Sequence, residues 1–331
     1  MKIIISHLTA YRYLSNYAAR QTRKRFVAHW DPLDIGRQSR ATSVTDITAR
    51  INEIEGLDLN FLGIPLDRID LLVTDQHKRS AAPNIVNHVC SKFQPVYGSL
   101  IALSSCVYVC SPELCFVQMA STFDFVDLVE FGFELCGGYA LSTHQEKGFS
   151  NRIPLTSKEH ITRFLDRLAP SNAVNKSRRA LTYIADHSAS PRETTFTMLE
   201  TLPKQVGGYG FELPYLNYKF SLEEQDMWKR KNYYCDIYWP QYKLAIEYSG
   251  TMAHGEHTAY ADNERENIIE LGGIRVLRIS AQQLSNANSL DLVSRRIASY
   301  MGKRIRTQTL AAKEKREHLR EYLYNRNRTE R

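Results

Sequence analysis

Apolar residues recur at helical spacing in some stretches of this chain and cluster in short β-branched runs in others, which predicts a mixed α/β protein. Residues 11–18 have the pattern of a helix that ends near Arg20, and residues 69–73 and 99–110 read as strands rich in β-branched and aromatic side chains. Ser111-Pro112-Glu113 marks a helix start running through Ala120: a serine N-cap, proline at the first helical position and an acid facing the positive end of the dipole. A second helix over 124–135 is stopped by Gly137-Gly138, and helical spacing over 157–168 and 173–185 is broken at 169–172. From Ser190 onward the elements follow as α-β-β-β-α-β: helix 191–202, extended 214–220, strands 233–238 and 243–248, helix 261–271 stopped by Gly272-Gly273, and strand 274–279.

A length of 331 residues suits two domains. The reading divides the chain into an α/β domain over 1–150 that binds DNA or a partner, a helical linker over 151–189, a second α/β domain over 190–302 and a basic tail over 303–331. With 43% hydrophobic and 24% charged residues the composition is that of an ordinary folded protein. The apolar run at Met1–His7 is too short for a signal-peptide core, and no stretch approaches the roughly 18–20 apolar residues of a membrane span, so a cytoplasmic location is expected.

Charge refines this picture. Of the net +7, the segment 303–331 carries +6, from ten Lys/Arg against four Glu. Lys303, Arg304 and Arg306 are therefore candidate phosphate contacts, set against the plainer reading of a solvated helix over 310–324 with interleaved charges. The six cysteines (Cys90, Cys106, Cys110, Cys115, Cys136, Cys235) lack zinc-site spacing and read as reduced core thiols.

Chemistry concentrates in the two middle strands of the second domain, Tyr-Tyr-Cys-Asp-Ile-Tyr and Lys-Leu-Ala-Ile-Glu-Tyr. With Pro240-Gln241 at the turn centre and Trp239 paired with Tyr242, Asp236 lies opposite Ala245 and diagonal to Glu247, on one face. Two such carboxylates suit Mg²⁺, with Mn²⁺ able to substitute, because a hard ion takes oxygen ligands and keeps waters for a substrate phosphate. The chemistry expected of such an ion is phosphodiester hydrolysis.

Cys235-Asp236-Ile237-Tyr238-Trp239-Pro240, Leu244-Ala245-Ile246-Glu247-Tyr248-Ser249-Gly250, His254, Asp262, Arg265, Leu271-Gly272 and Val276-Leu277-Arg278 together resemble the endonuclease-like domains related to very-short-patch-repair (Vsr) nucleases, within the PD-(D/E)xK class. The resemblance implies a restriction-endonuclease-like core over 190–302 and a Mg²⁺-dependent DNA endonuclease or nickase acting in defence or repair. It implies Asp236 and Glu247 as metal ligands, the Tyr248 backbone carbonyl as a further ligand, and His254 as an aid to proton transfer. A double-strand cutter of this type would need two active sites, so a homodimer is plausible. Arg265 and Arg278 join the candidate nucleic-acid contacts, although Asp262 and Arg265 also suit a surface ion pair.

Two positions depart from the pattern or leave it open. The third motif position, usually Lys in the general pattern and often Asp in Vsr-like relatives, is Ser249, which supplies no charge; Lys243 is a substitute on the same strand, or simply exposed. Glu193 is either a metal-assisting acid of the first helix or the reciprocal half of a capping box with Ser190. In the first domain, Ser111-Pro112-Glu113 and Glu134-Leu135-Cys136-Gly137-Gly138-Tyr139 resemble the regulator-like domain of AbiEi-type antitoxins, which implies DNA or a protein as partner. Arg20, Arg23, Lys24 and Arg25 are the phosphate-contact candidates there, or a solvated cluster. The rival function is an inactive nucleic-acid-binding regulator or antitoxin-type interaction protein.

Overall fold

Three consecutive isoleucines suit a strand buried on both faces, and β1 (Ile3–Ile5) is that strand, at the centre of a five-stranded sheet. The computed structural model describes residues 3–20, 68–91, 95–103, 107–141, 145, 147–223, 230–249, 273–305 and 309–326. The chain separates into two units, Met1–Ala140 with Ser150–Ile184, and Leu141–Phe149 with Ala185–Glu330.

In the first unit, β2 (Ile69–Val73), β3 (Ile85–Val89), β4 (Leu100–Ala102) and β5 (Val107–Cys110) complete the sheet in the order β3-β2-β1-β5-β4. β1 runs parallel to β5 and antiparallel to β2. The segment 99–110, read as one strand, is an antiparallel pair: Leu100 lies opposite Cys110, and the Leu103 N–H donates to the Val107 carbonyl.

Helix α1 (His7–Arg20) follows β1 directly and packs on α2 (Pro112–Met119). The caps of α2 and α3 (Phe125–Cys136) match the sequence: Ser111 Oγ accepts the Leu114 N–H, and Asp124 accepts the Asp127 N–H. Gly137 ends α3 with φ −93°, so this glycine is not needed for a left-handed turn. Gly132 is needed for space: a Cβ there would meet Ile184 Cδ1 at 2.1 Å. Helices α4 (Lys158–Leu165) and α5 (Asn172–Leu181), capped by Ser157 and Ser171, pack on α2, and α5 also packs on α3, so these two helices of the expected linker belong to the first unit. A short ribbon pairs β6 (Tyr139–Leu141) with β7 (Phe149–Asn151).

The second unit is built on α6 (Pro191–Thr201) and four strands, β8 (Tyr215–Glu223), β9 (Arg230–Trp239), β10 (Leu244–Ser249) and β11 (Arg275–Ser280), in sheet order β11-β10-β9-β8. β8, β9 and β10 are antiparallel neighbours, and β11 is parallel to β10. Leu216, Ile237, Leu244, Ile246, Leu277 and Ile279 are buried, as are Phe196, Met198 and Leu199 of α6. Helices α7 (Ala281–Ser285), α8 (Ala287–Tyr300) and α9 (Leu310–Arg326) follow. The basic segment is thus a helix of the second unit: α9 contacts α6, with Leu319 and Leu323 buried, each burial stabilising by about 1.5–3 kcal/mol. Among the described residues, no helix is long and apolar enough to cross a membrane.

Candidate functional site

The turn between β9 and β10 sets the site's register. Pro240–Tyr242 form a 3-10 turn, and Lys243 closes it with φ 47° and ψ 45°. The connection is therefore longer than a Pro240-Gln241 turn, and the pairing is shifted by two residues from the expected one: Leu244 faces Trp239, Ala245 faces Tyr238 and Ile246 faces Ile237. Cys235 packs with Tyr238, three residues along β9, and with Ala245, so the alternation of faces is interrupted beside Asp236. The described pairing ends at Ile246 and Ile237, one residue short of Glu247 and Asp236.

The regular ladder stops there. The Tyr248 N–H donates to Asp236 Oδ2 at 2.8 Å, so a side chain takes the place of the backbone acceptor that a continued strand pair would supply. In an extended strand the N–H and C=O of one residue point to the same edge, so the Tyr248 carbonyl also faces the Asp236 side. Two carboxylates and a carbonyl are an all-oxygen donor set that suits Mg²⁺. Among the described residues, no group of three His, Cys, Asp or Glu side chains is arranged to hold a metal ion, so any ion here depends on the carbonyl, on waters or on substrate oxygens to complete its shell.

Glu193 approaches from the start of α6. Its N–H donates to Ser190 Oγ, while its carboxylate accepts from Ser190 Oγ (3.0 Å), the Ala189 N–H (2.9 Å) and Asn217 Nδ2 (2.8 Å). This is a capping arrangement displaced by one residue, since the backbone amide it satisfies is that of Ala189 rather than the N-cap Ser190. Burial pushes the Glu193 carboxyl up to about 7; the Asp236 charge adds to the rise, and the Ala189, Asn217 and Ser190 hydrogen bonds offset part of it. Asn217 is held in a left-handed conformation, φ 46°, at the position of β8 opposite Asp236. That kink brings Tyr215 and Tyr218, three apart, into ring contact at 5.5 Å, and Tyr218 lies 5.0 Å from Tyr238.

Other predicted residues fall elsewhere. Lys243 sits in the turn four residues before Glu247, with its Nζ beside Gly273. Lys303 pairs with Glu212, between the rings of Phe211 and Tyr242. Arg304 is exposed, and Arg278 is exposed on β11. Ser249 ends β10, in register with Ser280 of β11. Arg23, Lys24, Arg25, His254, Asp262, Arg265 and Arg306 lie outside the described residues, as does the helix expected over 261–271. Cys110, Cys115, Cys136 and Cys235 are buried free thiols, while Cys90 is exposed.

Two polar clusters escaped the sequence reading. In the first unit, buried Asp70 accepts from Thr9 Oγ1 (2.9 Å), His88 Nε2 lies 2.9 Å from its other oxygen, and the His7 ring stacks on His88 at 3.4 Å. Burial alone would raise the Asp70 carboxyl, but the His88 and Thr9 hydrogen bonds and the His88 and Arg68 charges hold it below its ordinary value. Burial and the neighbouring His88 press His7 down to about 3, so its ring is neutral. A lone Asp inside Ile69-Asp70-Leu71-Leu72-Val73 was the available signal. In the second unit, buried Glu200 accepts from Ser294 Oγ at 2.7 Å, and Arg316 stacks 3.9 Å over the Tyr209 ring while reaching Asp291. Burial pushes Glu200 up to about 8 despite Ser294 and Arg316.

The chain has no significant match among protein-family models, curated proteins or solved structures.

Proposed function

We propose that the second unit is a Mg²⁺-dependent DNA endonuclease or nickase. The observation that carries this reading is the end of the β9–β10 ladder, where the N–H of Tyr248, the residue after Glu247, donates to Asp236 Oδ2. The α-β-β-β order and the parallel fourth strand agree with the core that the Vsr-like resemblance implies. Asp236 and Glu247 would hold the metal, and Mn²⁺ would substitute for Mg²⁺. When bound, such an ion polarises a phosphodiester and lowers the pKa of attached water.

The protein's own residues set the stage for that ion. The Tyr248 N–H fixes the Asp236 carboxylate, leaving its rotation restricted before substrate arrives. Glu193, with a carboxyl at about 7, is partly protonated near neutrality, which limits its repulsion of Asp236. The His254 contribution and the first unit's role as a DNA-binding or partner-binding module complete the reading.

Ser249 favours a second reading, a DNA-binding regulator that retains the fold without the chemistry, because the motif position that usually carries charge has none. Supercoiled plasmid with Mg²⁺, Mn²⁺ or EDTA separates the two. Metal-dependent nicking by the wild type that is lost in Glu247→Ala supports the nuclease; no cleavage by either protein, with salt-sensitive binding by both, supports the regulator.

A further inference from the structure

Outside the segment 303–331, which holds +6 of the net +7, the chain carries only +1, yet residues 158–182 carry +4, from six Lys/Arg against two acids. Both acids stand at α4: Glu159 pairs with Arg163, and Asp166 with Arg178. From Asn172 to Ala185 there is no Asp or Glu at all. A helix whose charges serve only solubility interleaves the two signs for i,i+4 pairing, as α4 does with Glu159 and Arg163. The charge of α5 is of one sign.

Val174, Ser177, Ala180 and Leu181 are buried in the first unit, and the opposite side of α5 exposes Asn172, Asn175, Arg179 and, at its C-cap, Thr182, at intervals of three and four. Contacts within the unit hold the cations around this stripe. Arg178 donates to Asp166 Oδ1 and to the Leu165 carbonyl, both at 2.8 Å, and Arg179 lies 4.6 Å over the Phe125 ring, which packs edge-on to Tyr183. In the turn between the two helices, Arg167 lies 5.6 Å over the Tyr97 ring and donates to the Tyr97 carbonyl. Among the described residues, Arg167 and Arg179 thus contact rings and a carbonyl rather than carboxylates, and both are exposed with their charge not neutralised.

We propose that α4 and α5 form a helix–turn–helix pair whose second helix enters the major groove of duplex DNA, with Asn172 and Asn175 at base edges and Arg167 and Arg179 on phosphates. The groove is about 12 Å wide and admits one helix with its side chains. Asn172 and Asn175 lie in the first half of α5, the part of a second helix that reaches bases in this docking geometry, and an Asn amide matches the donor and acceptor of an adenine edge. The phosphates supply the negative charge that the stripe lacks. This rests on reading the first unit as a DNA-binding rather than a protein-binding module and is independent of the acid pair. It puts the contacts on the helices once read as a linker, not on Arg20, Arg23, Lys24 and Arg25.

The test is binding of a fluorescent random-sequence DNA duplex to the full chain in EDTA over a range of salt, with selection from a random duplex library alongside. Arg167→Gln combined with Arg179→Gln is expected to reduce the slope of log K against log salt by about 1.8, two phosphate contacts at about 0.9 each, and Lys at both positions should keep the slope. Asn172→Ala and Asn175→Ala should leave the slope alone and change the sequences selected. All four positions are exposed, so melting curves should match the wild type. An unchanged slope in the double Gln variant, or a slope lost instead in Arg23→Gln, Lys24→Gln, Arg25→Gln together, overturns the proposal. Equal binding to single strands or RNA, or unchanged selected sequences in both Asn variants, overturns the groove assignment. A wild type that binds no duplex but holds a protein partner, released by the double variant, would make α5 a protein-docking helix instead. Glu247→Ala should bind as the wild type does, so a failure of cleavage bears on the acid pair alone and a failure of the salt slope on α5 alone.

Discussion

Asn217 joins the first helix of the second unit to its sheet: its side-chain amide donates to Glu193 Oε2 at 2.8 Å and to the His187 carbonyl at 2.8 Å. A left-handed backbone lets it do so, since Asn tolerates φ near +50° far better than branched residues. Asn217→Gly should keep the backbone geometry but lose both bonds, whereas Asn217→Val adds backbone strain of about 1–3 kcal/mol to that loss. Urea unfolding of both variants checks this; equal stability of the two would show that the backbone angle contributes nothing.

Asp236 has a structural task separable from any chemistry. Asp236→Asn retains a side-chain oxygen for the Tyr248 N–H and should fold as the wild type does while failing to support cleavage. Asp236→Ala removes the acceptor and should cost a further 1.5–3 kcal/mol, roughly the value of a hydrogen bond to a charged group. Melting curves and plasmid nicking, measured on the same preparations, separate the two effects.

Glu193 and Glu200 give the second unit a pH dependence opposite to that of a salt-bridged carboxylate. Their folded values, about 7 and about 8, lie above the ordinary 4.5, so between these limits the native protein binds more protons than the unfolded chain. Their stabilising contribution is complete below about 4.5 and is lost as pH rises through about 7 for Glu193 and about 8 for Glu200. Glu200→Gln, which mimics the protonated acid, should melt higher than the wild type at pH 8.5 and close to it at pH 5. A wild-type melting temperature that climbs from pH 5 to pH 8.5, with the variant showing no advantage there, would contradict this.

Helix α9 fits against the turn after α6 with no room to spare. A Cβ at Gly207, whose φ is +106°, would meet the Lys315 carbonyl oxygen at 2.5 Å. Gly207→Ala should therefore displace α9, and Leu323→Ala should cost about 2–5 kcal/mol by leaving a cavity. Both are read by thermal melting and by proteolysis within 310–326; unchanged resistance would show that the docked helix contributes no stability.

The parts of the fold written locally were legible. Ser111, Asp124, Ser157, Ser171 and Ser190 cap helices close to where side-chain chemistry puts them, and the strands of the second unit fall within a few residues of the apolar runs. The register of β9 against β10 was not legible, because it hinges on a left-handed Lys243 that residue type does not disfavour strongly enough to exclude or favour enough to predict. Relationships between distant segments were also hidden. Neither the Glu193–Asn217 bond nor the alignment of Arg278 with Glu247 follows from spacing, since each depends on which strands become neighbours.

The docking of α9 also bears on how the protein is made. Residues of α6, which begin the second unit, leave the ribosome more than a hundred positions before the helix that covers them. Until that helix arrives, the Glu200 side of α6 lacks its Arg316 neighbour and the apolar cover of Leu319 and Leu323. A premature stop between Glu247 and Leu310 would then yield a chain that has both acids yet is prone to degradation, so translation through α9 acts as a quality check on the site.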